Sequence, residues 1–133
     1  MAIDIRGLAP LLQVFDMPAS IHFYRDVLGF ELVNTSQPGD SFAWALLRLN
    51  DTEIMLNTLY EKGERPAYPD PARINAHGDT TLYFGCRDLD AAYTHLRLAG
   101  LDVKKPVIRD YGMKQLGLKD PDGYGLCFQW QAA

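Results

Sequence analysis

The stretch QVFDMPASIHFYRDVLGFELV, residues 13–33, decides the fold because a second stretch of the chain repeats its plan. GCRDLDAAYTHLRLAGLDV, residues 85–103, also runs from an apolar strand end through an aspartate into an amphipathic helix and then a new strand. Asp16 and Asp88 lie 72 positions apart, and each suits the N-cap, where a carboxylate accepts first-turn N–H groups. The repeat predicts that one supersecondary unit is present twice.

Each copy of the repeat continues in the same way after its helix. A glycine suited to the left-handed C-terminal position ends each helix, Gly29 in the first copy and Gly100 in the second. Alternating apolar residues predict strands over 8–14, 30–35, 42–49 and 53–59, and again over 80–86, 102–107, 113–119 and 124–130. The predicted class is therefore α+β: two tandem βαβββ modules that form a curved, cavity-enclosing mixed β-sheet with the helices on its outer face.

The length of 133 residues indicates a single domain built from the two modules. We place module 1 at about 6–60, a linker at 61–78 and module 2 at about 79–131. The linker region contains three prolines and two glycines and is expected to be a loop.

The composition predicts where the protein acts and which partners it lacks. No apolar run approaches the roughly 18 residues of a membrane span, and the first residues do not resemble a signal peptide, so we expect a cytoplasmic protein without a membrane partner. Cys86 and Cys127 lie in apolar strands and are expected to be reduced thiols. The net charge of −4, with the 13 basic residues scattered, argues against nucleic acid.

Three stretches carry a resemblance to a known family: SIHFYRDVLGFEL (20–32), TLYFGCRDLDAAYTHLRLAG (81–100) and GLKDPDGYGLCFQ (117–129). With the doubled βαβββ plan, they resemble the vicinal oxygen chelate superfamily, which includes glyoxalase I, extradiol dioxygenases, fosfomycin-resistance enzymes and bleomycin-resistance proteins. The second stretch and YGMKQLGLKDPDG (111–123) look closest to the bleomycin-resistance branch. That resemblance implies a homodimer that binds a drug in its clefts without a catalytic metal.

The resemblance also implies where a metal would be held in metal-using relatives. Matching the motifs puts the four ligand positions, which those relatives fill with His, Glu or Gln, at Ala9, Met55, Thr81 and Cys127. None of these residues is a ligand for a hard or borderline divalent ion. A Met55–Cys127 pair could hold Cu(I), although two apolar-strand residues are more simply core. We therefore expect no metal and no cofactor.

A metal site rearranged onto neighbouring residues stays open as an alternative. Glu53, Asp79 and His77 could contribute to it. Glu53 also has a simpler interpretation: if 50–51 is a two-residue turn, Arg48 lies directly across from it as an ion pair. His77, in the region before a strand, is expected to be exposed.

The same hairpin register predicts the wall of a ligand pocket. Leu46 is expected opposite Met55, Trp44 opposite Asn57, and Phe42 opposite Leu59. Tyr83 should share the concave face, while Tyr60, Tyr68 and Tyr111 could rim an opening. The predicted ligand-binding residues are Phe42, Trp44, Met55, Asn57, Tyr83 and Tyr111.

These features favour a metal-independent protein that sequesters an aromatic or cationic, antibiotic-like small molecule in a homodimer cleft. The main alternative is a divalent-metal-dependent lyase, isomerase or dioxygenase of the same fold with relocated ligands. A metal-free enzyme using Tyr83 or Cys127, or a module with an empty cavity that serves only association, also stays open. No catalytic residue is predicted.

Overall fold

The computed structural model describes residues 2–60 and 63–133. The chain divides into two compact units, Met1–Ala67 and Tyr68–Ala133. Each unit contains one four-stranded mixed sheet together with its helices. None of the helices formed by the described residues is long and apolar enough to cross a membrane.

The first unit has the plan strand, helix and three strands. Its elements are β1 (Leu11–Gln13), α1 (Met17–Ile21), which continues as a π-helix (His22–Val27), β2 (Glu31–Thr35), β3 (Trp44–Leu49) and β4 (Thr52–Asn57). The sheet order is β1-β4-β3-β2, with β1 parallel to β4 and the other pairs antiparallel.

The second unit repeats that plan behind an additional short helix. Its elements are α2 (Pro71–His77), β5 (Thr81–Gly85), α3 (Leu89–Leu98), β6 (Val107–Ile108), β7 (Met113–Lys119) and β8 (Gly125–Gln131). The order β5-β8-β7-β6, with β5 parallel to β8, matches the first sheet strand for strand. The predicted α+β class with two βαβββ modules is confirmed.

The 72-residue period extends to helix caps and strand register. Each N-cap carboxylate accepts the backbone N–H three residues further on, at 3.1 Å for Asp16 and 3.0 Å for Asp88. In the parallel pairs, Leu11 is the partner of Met55, and Tyr83, 72 positions later, is the partner of Cys127. The two sheets therefore place equivalent residues at equivalent positions.

One face of each sheet is buried, and the other is only partly covered. Alternate residues of β3 and β4 are at most 1% exposed, as are the core positions of β7 and β8; these are Ala45, Leu47, Ile54, Leu56, Leu116 and Leu126. Because strand side chains alternate between faces, the residues between them lie on the opposite side. We call these sides the first and second open faces.

The prediction of a loop over 61–78 is wrong for Pro71–His77, because these seven residues form α2. Asp70 caps this helix by accepting the Ala72 N–H at 3.0 Å, and Pro71 occupies its first turn, where a proline needs no N–H partner. His77, expected to be exposed, is half-buried instead. Its Nδ1 lies 2.7 Å from the Asp122 carbonyl oxygen, and its ring stacks on Tyr124 at 4.1 Å.

The expected strand over 102–107 is also largely wrong, since β6 comprises only Val107–Ile108. Pro106 has no N–H to donate to a ladder, so regular pairing does not run through this position. The first strand is shortened in the same way from 8–14 to Leu11–Gln13, directly after Pro10.

Candidate functional site

The first open face has the register that the sequence predicts. Trp44 is the partner of Asn57, and Leu46 is the partner of Met55. All four residues are half-buried. Leu11, beside Met55 on β1, is 49% exposed. This face therefore presents apolar side chains that its own unit does not cover completely.

Polar groups interrupt that apolar surface at one point. The Asn57 side-chain amide donates to the Gln13 side-chain oxygen at 3.3 Å across the parallel pair of β1 and β4. Arg48 and Glu53 pair across the hairpin as expected, with N···O distances of 3.0 and 2.6 Å. Glu53 is thus engaged by a guanidinium.

Phe42 precedes β3, and its expected pairing with Leu59 lies beyond the ladder of β3 and β4. The Thr58 N–H still donates to the Ala43 carbonyl oxygen at 2.8 Å, so the two chains continue side by side past the strand ends. Phe42 therefore lies at the end of the first open face, two residues from Trp44.

A cavity of about 440 Å³ opens at that end of the first unit. Aromatic rings and one cation dominate its lining, which includes Phe15, Met17, Asp40, Phe42, Tyr60 and Arg65. The Phe15 and Tyr60 rings meet edge to face at 5.6 Å, and the Arg65 guanidinium lies 5.7 Å from the Phe15 ring centre. Arg65 also pairs with Asp16 at 3.2 Å. Of these lining residues, the sequence had suggested Phe42 as a ligand contact and Tyr60 as a rim residue.

The second open face has a different character. Tyr83 is 61% exposed next to Cys127, which is 8% exposed. A polar row crosses the strands beside them: the Arg109 Nε and the Tyr111 hydroxyl donate to the Gln115 side-chain oxygen at 3.1 and 3.3 Å. The Gln115 amide then donates to the Gln129 side-chain oxygen at 2.9 Å.

The sequence had predicted Tyr83 and Tyr111 as ligand contacts, whereas it did not suggest Arg109 or Gln115. The usable signal was the period of two along β7, which puts Gln115 on the face away from the buried Leu116. The position of Arg109 depends on how β6 pairs with β7, which the sequence pattern does not reveal.

Burial raises the pKa of the Cys127 thiol, and the nearby charge of Arg109 counteracts this only in part. Burial likewise raises the pKa of Cys86. A thiol becomes a strong nucleophile when its pKa is lowered. The shift on Cys127 therefore disfavours a role as a thiolate nucleophile.

The four positions at which the resemblance places a metal do not supply a fitting donor set. Ala9 has no donor atom, Met55 offers a thioether, Thr81 a neutral hydroxyl and Cys127 a thiol with a raised pKa. Among residues 2–60 and 63–133, no three His, Cys, Asp or Glu side chains form a group that could hold a metal ion. Catalytic zinc sites use three His, carboxylate or thiolate ligands, which these residues do not provide.

A chain built from two βαβββ units, each with a helix-covered face and an open face, defines a protein of the glyoxalase type. Residues 8–128 match the profile of the Glyoxalase/Bleomycin resistance protein/Dioxygenase superfamily, and the chain belongs to this superfamily. No curated protein matches the chain in a sequence search.

Solved structures share the fold over nearly the whole chain. TnmS3, an antibiotic binding protein from Streptomyces sp. CB03234, is 23% identical with a TM-score of 0.72, over 98% of this chain and 100% of its own. The virulence protein STM3117 from Salmonella typhimurium is 26% identical with a TM-score of 0.69, over 100% of both chains. A glyoxalase/bleomycin resistance protein from Streptomyces sp. CB03234 is 25% identical with a TM-score of 0.62, over 92% and 100%.

Proposed function

We propose that this protein binds an aromatic small molecule on its open sheet faces without a metal ion, and that it sequesters rather than transforms the ligand. The observation that carries the proposal is the first open face, where half-buried Trp44, Leu46 and Met55 lie beside the amide of Asn57. Such an apolar surface with one oriented polar group is typical of small-molecule sites.

The aromatic side chains and the cavity of the first unit support a ligand with aromatic rings. Trp44 offers a flat face for stacking, and the cavity of about 440 Å³ beyond Phe42 lies within the usual range for small-molecule pockets. The edge-to-face contact of Phe15 with Tyr60 leaves an aromatic wall there. We propose Phe42, Trp44, Met55 and Asn57 as ligand contacts in this unit, and Tyr83 and Tyr111 in the second.

Metal independence is supported by the donor chemistry of Ala9, Met55, Thr81 and Cys127. The alternative metal site, rearranged onto Glu53, Asp79 and His77, gains no support from the contacts of Glu53 and His77. Glu53 is paired with Arg48, and the His77 ring is engaged by Asp122 and Tyr124.

A homodimer is part of the proposal, because the open faces leave apolar side chains exposed that a second copy and a ligand would cover. Leu11 is 49% exposed and Tyr83 61%. TnmS3, which shares the fold, is an antibiotic binding protein, and we therefore propose an antibiotic-like molecule as the ligand class here. The unpaired Cys86 and Cys127 are compatible with a reducing cytoplasm, where we propose that the protein acts.

Tryptophan fluorescence tests the proposal with a matched pair of variants. Trp130 lies on β8, where the Arg87 guanidinium is 5.5 Å from its ring centre, and it alternates with Gln129 to the face opposite the second open face. We expect aromatic antibiotics to quench the fluorescence of Trp130→Phe, which retains Trp44, and to quench Trp44→Phe much less. Equal quenching in both variants, or none with any compound of a broad panel, contradicts the proposed site.

A further inference from the structure

We infer that the second open face by itself binds an anionic group, a carboxylate or another oxyanion, of an aromatic ligand, with Arg109 as its anchor. This inference rests on the proposed function and specifies its ligand class as an aromatic acid. The sequence predicted an aromatic or a cationic ligand. The inference retains the aromatic ligand and predicts that its charge is negative rather than positive.

The first support is the direction of the hydrogen bonds in the polar row. The Gln115 oxygen is occupied by two donors, Arg109 and Tyr111, and the Gln129 oxygen by the Gln115 amide. The two terminal nitrogens of the Arg109 guanidinium and the side-chain nitrogen of Gln129 have no partner among the described residues. The polar row therefore presents hydrogen-bond donors to a ligand, and one of these donors, the Arg109 guanidinium, is charged.

The second support is a cavity of about 430 Å³ that shares Arg109 and Gln115 with the row. Its charged lining residues are Lys104, Lys105, Arg109, Lys119 and Asp102. Four of the 13 basic residues in a chain of net charge −4 thus border one cavity. None of these four cations has an ion-pair partner within residues 2–60 and 63–133.

The single acid in that lining does not neutralise the cluster. An Asp102 side-chain oxygen lies 3.1 Å from a guanidinium nitrogen of Arg97, which is outside the cavity lining. The local excess of positive charge therefore persists, and it attracts anions in a protein whose remaining surface is acidic.

Gly117 provides room for the bound group. It lies on β7 between Gln115 and Lys119, which share its face, and it lines the same cavity. A Cβ atom there would meet nothing closer than the Leu126 carbonyl oxygen at 3.9 Å, so the space above the strand is open. An oxyanion can approach this bare stretch of strand, where the Arg109 guanidinium can bind it with two parallel hydrogen bonds.

Two matched dyes test the inference. 8-Anilino-1-naphthalenesulfonate carries one negative charge, whereas N-phenyl-1-naphthylamine has the same ring system and no charge, and both fluoresce on binding apolar surfaces. We expect the wild-type protein to bind the sulfonate at least ten times more tightly. Arg109→Gln should remove that preference and leave binding of the neutral dye unchanged, while Arg109→Lys should restore part of it.

Arg25→Gln is the control, because it removes one positive charge from an exposed helix position paired with Asp26. A preference for the sulfonate that survives in Arg109→Gln, or is lost equally in Arg25→Gln, overturns the inference and leaves the proposed function standing. Binding of the sulfonate alone, abolished by Arg109→Gln, supports the inference and contradicts an aromatic site that needs no charge. Binding of neither dye contradicts both.

Side-chain amide resonances provide an independent readout. The sulfonate should shift the NH₂ signals of Gln115 and Gln129 in the wild-type protein, whereas the neutral dye should leave both signals near their free positions. Unshifted amides at saturating sulfonate would overturn the assignment to this face.

Discussion

Gly123, in the turn between β7 and β8, lies so close to Ile74 of α2 that an added Cβ atom would be 2.5 Å from the Ile74 carbonyl oxygen. Its φ of +88° also favours glycine. The helix α2 and the turn formed by Asp-Pro-Asp-Gly, residues 120–123, therefore pack backbone against backbone. The buried carboxylate of Asp120 holds the same turn by accepting the N–H groups of Asp122 and Tyr124, both at 2.9 Å.

That contact predicts that Gly123→Ala destabilises the second unit more than another glycine substitution with the same backbone strain. Gly100 has a φ of +92° and nothing within 4 Å of an added Cβ, so Gly100→Ala measures the strain alone, about 1–2 kcal/mol. We expect Gly123→Ala to lower the free energy of unfolding by clearly more, as measured by urea denaturation. Equal losses would mean that α2 does not pack against the turn.

The N-cap of α3 predicts a second stability difference. The Asp88 carboxylate accepts the Ala91 N–H at 3.0 Å, and Asp88→Ala should lower the free energy of unfolding by about 1 kcal/mol. Asp88→Asn retains an oxygen acceptor and should lose much less. If the asparagine variant is as unstable as the alanine variant, the side-chain oxygen is not acting as a cap.

The link between Gln115 and Gln129 can be measured by a double-mutant cycle. Gln129→Met leaves the Gln115 amide without its acceptor, and Gln115→Met leaves the donors of Arg109 and Tyr111 without theirs. We expect each single substitution to cost about 1–3 kcal/mol, because unsatisfied polar groups are left behind. The double variant should be more stable than the sum of the single losses predicts. Strict additivity would contradict the bond between the two amides.

The raised pKa of Cys127 predicts slow alkylation. In a Cys86→Ala background, iodoacetamide should modify the folded protein at pH 8 more slowly than the protein unfolded in guanidinium, because less thiolate is present. The folded state holds this proton more tightly than the unfolded state. Its contribution to stability is therefore complete below the unfolded pKa of about 8.5 and is lost as the pH rises through the folded pKa. Rapid labelling at pH 7 would contradict this environment.

The repeat itself was predictable because each of its signals is local. Asp16 and Asp88 cap helices through residues three positions away. The strand β7 has the bounds 113–119 that the sequence pattern predicts. The hairpin partners of Trp44 and Met55 followed from a two-residue turn, in which Asn50 has a φ of +53°.

What the sequence did not reveal depends on contacts between distant residues. The seven-residue helix α2 has no fully buried side chain, so it leaves no apolar stripe to recognise. Arg109 follows a two-residue strand, and only the pairing of β6 with β7 brings it to Gln115. Pro106 can be read directly from the sequence. Its effect on the length of β6 depends on where the pairing of β6 with β7 begins, which the sequence does not show.

Calorimetric titration of the metal-stripped protein with an aromatic acid tests the central claim most directly. The titration is done first in excess chelator and then, after the chelator is removed, with Zn²⁺, Ni²⁺, Mn²⁺ or Fe²⁺ added. We predict one dissociation constant under all conditions, an unchanged ligand at the end of each titration, and a large loss of affinity in Trp44→Leu with little change in Trp130→Leu. Binding that appears only with a metal ion, or conversion of the ligand, would contradict a metal-independent binding protein.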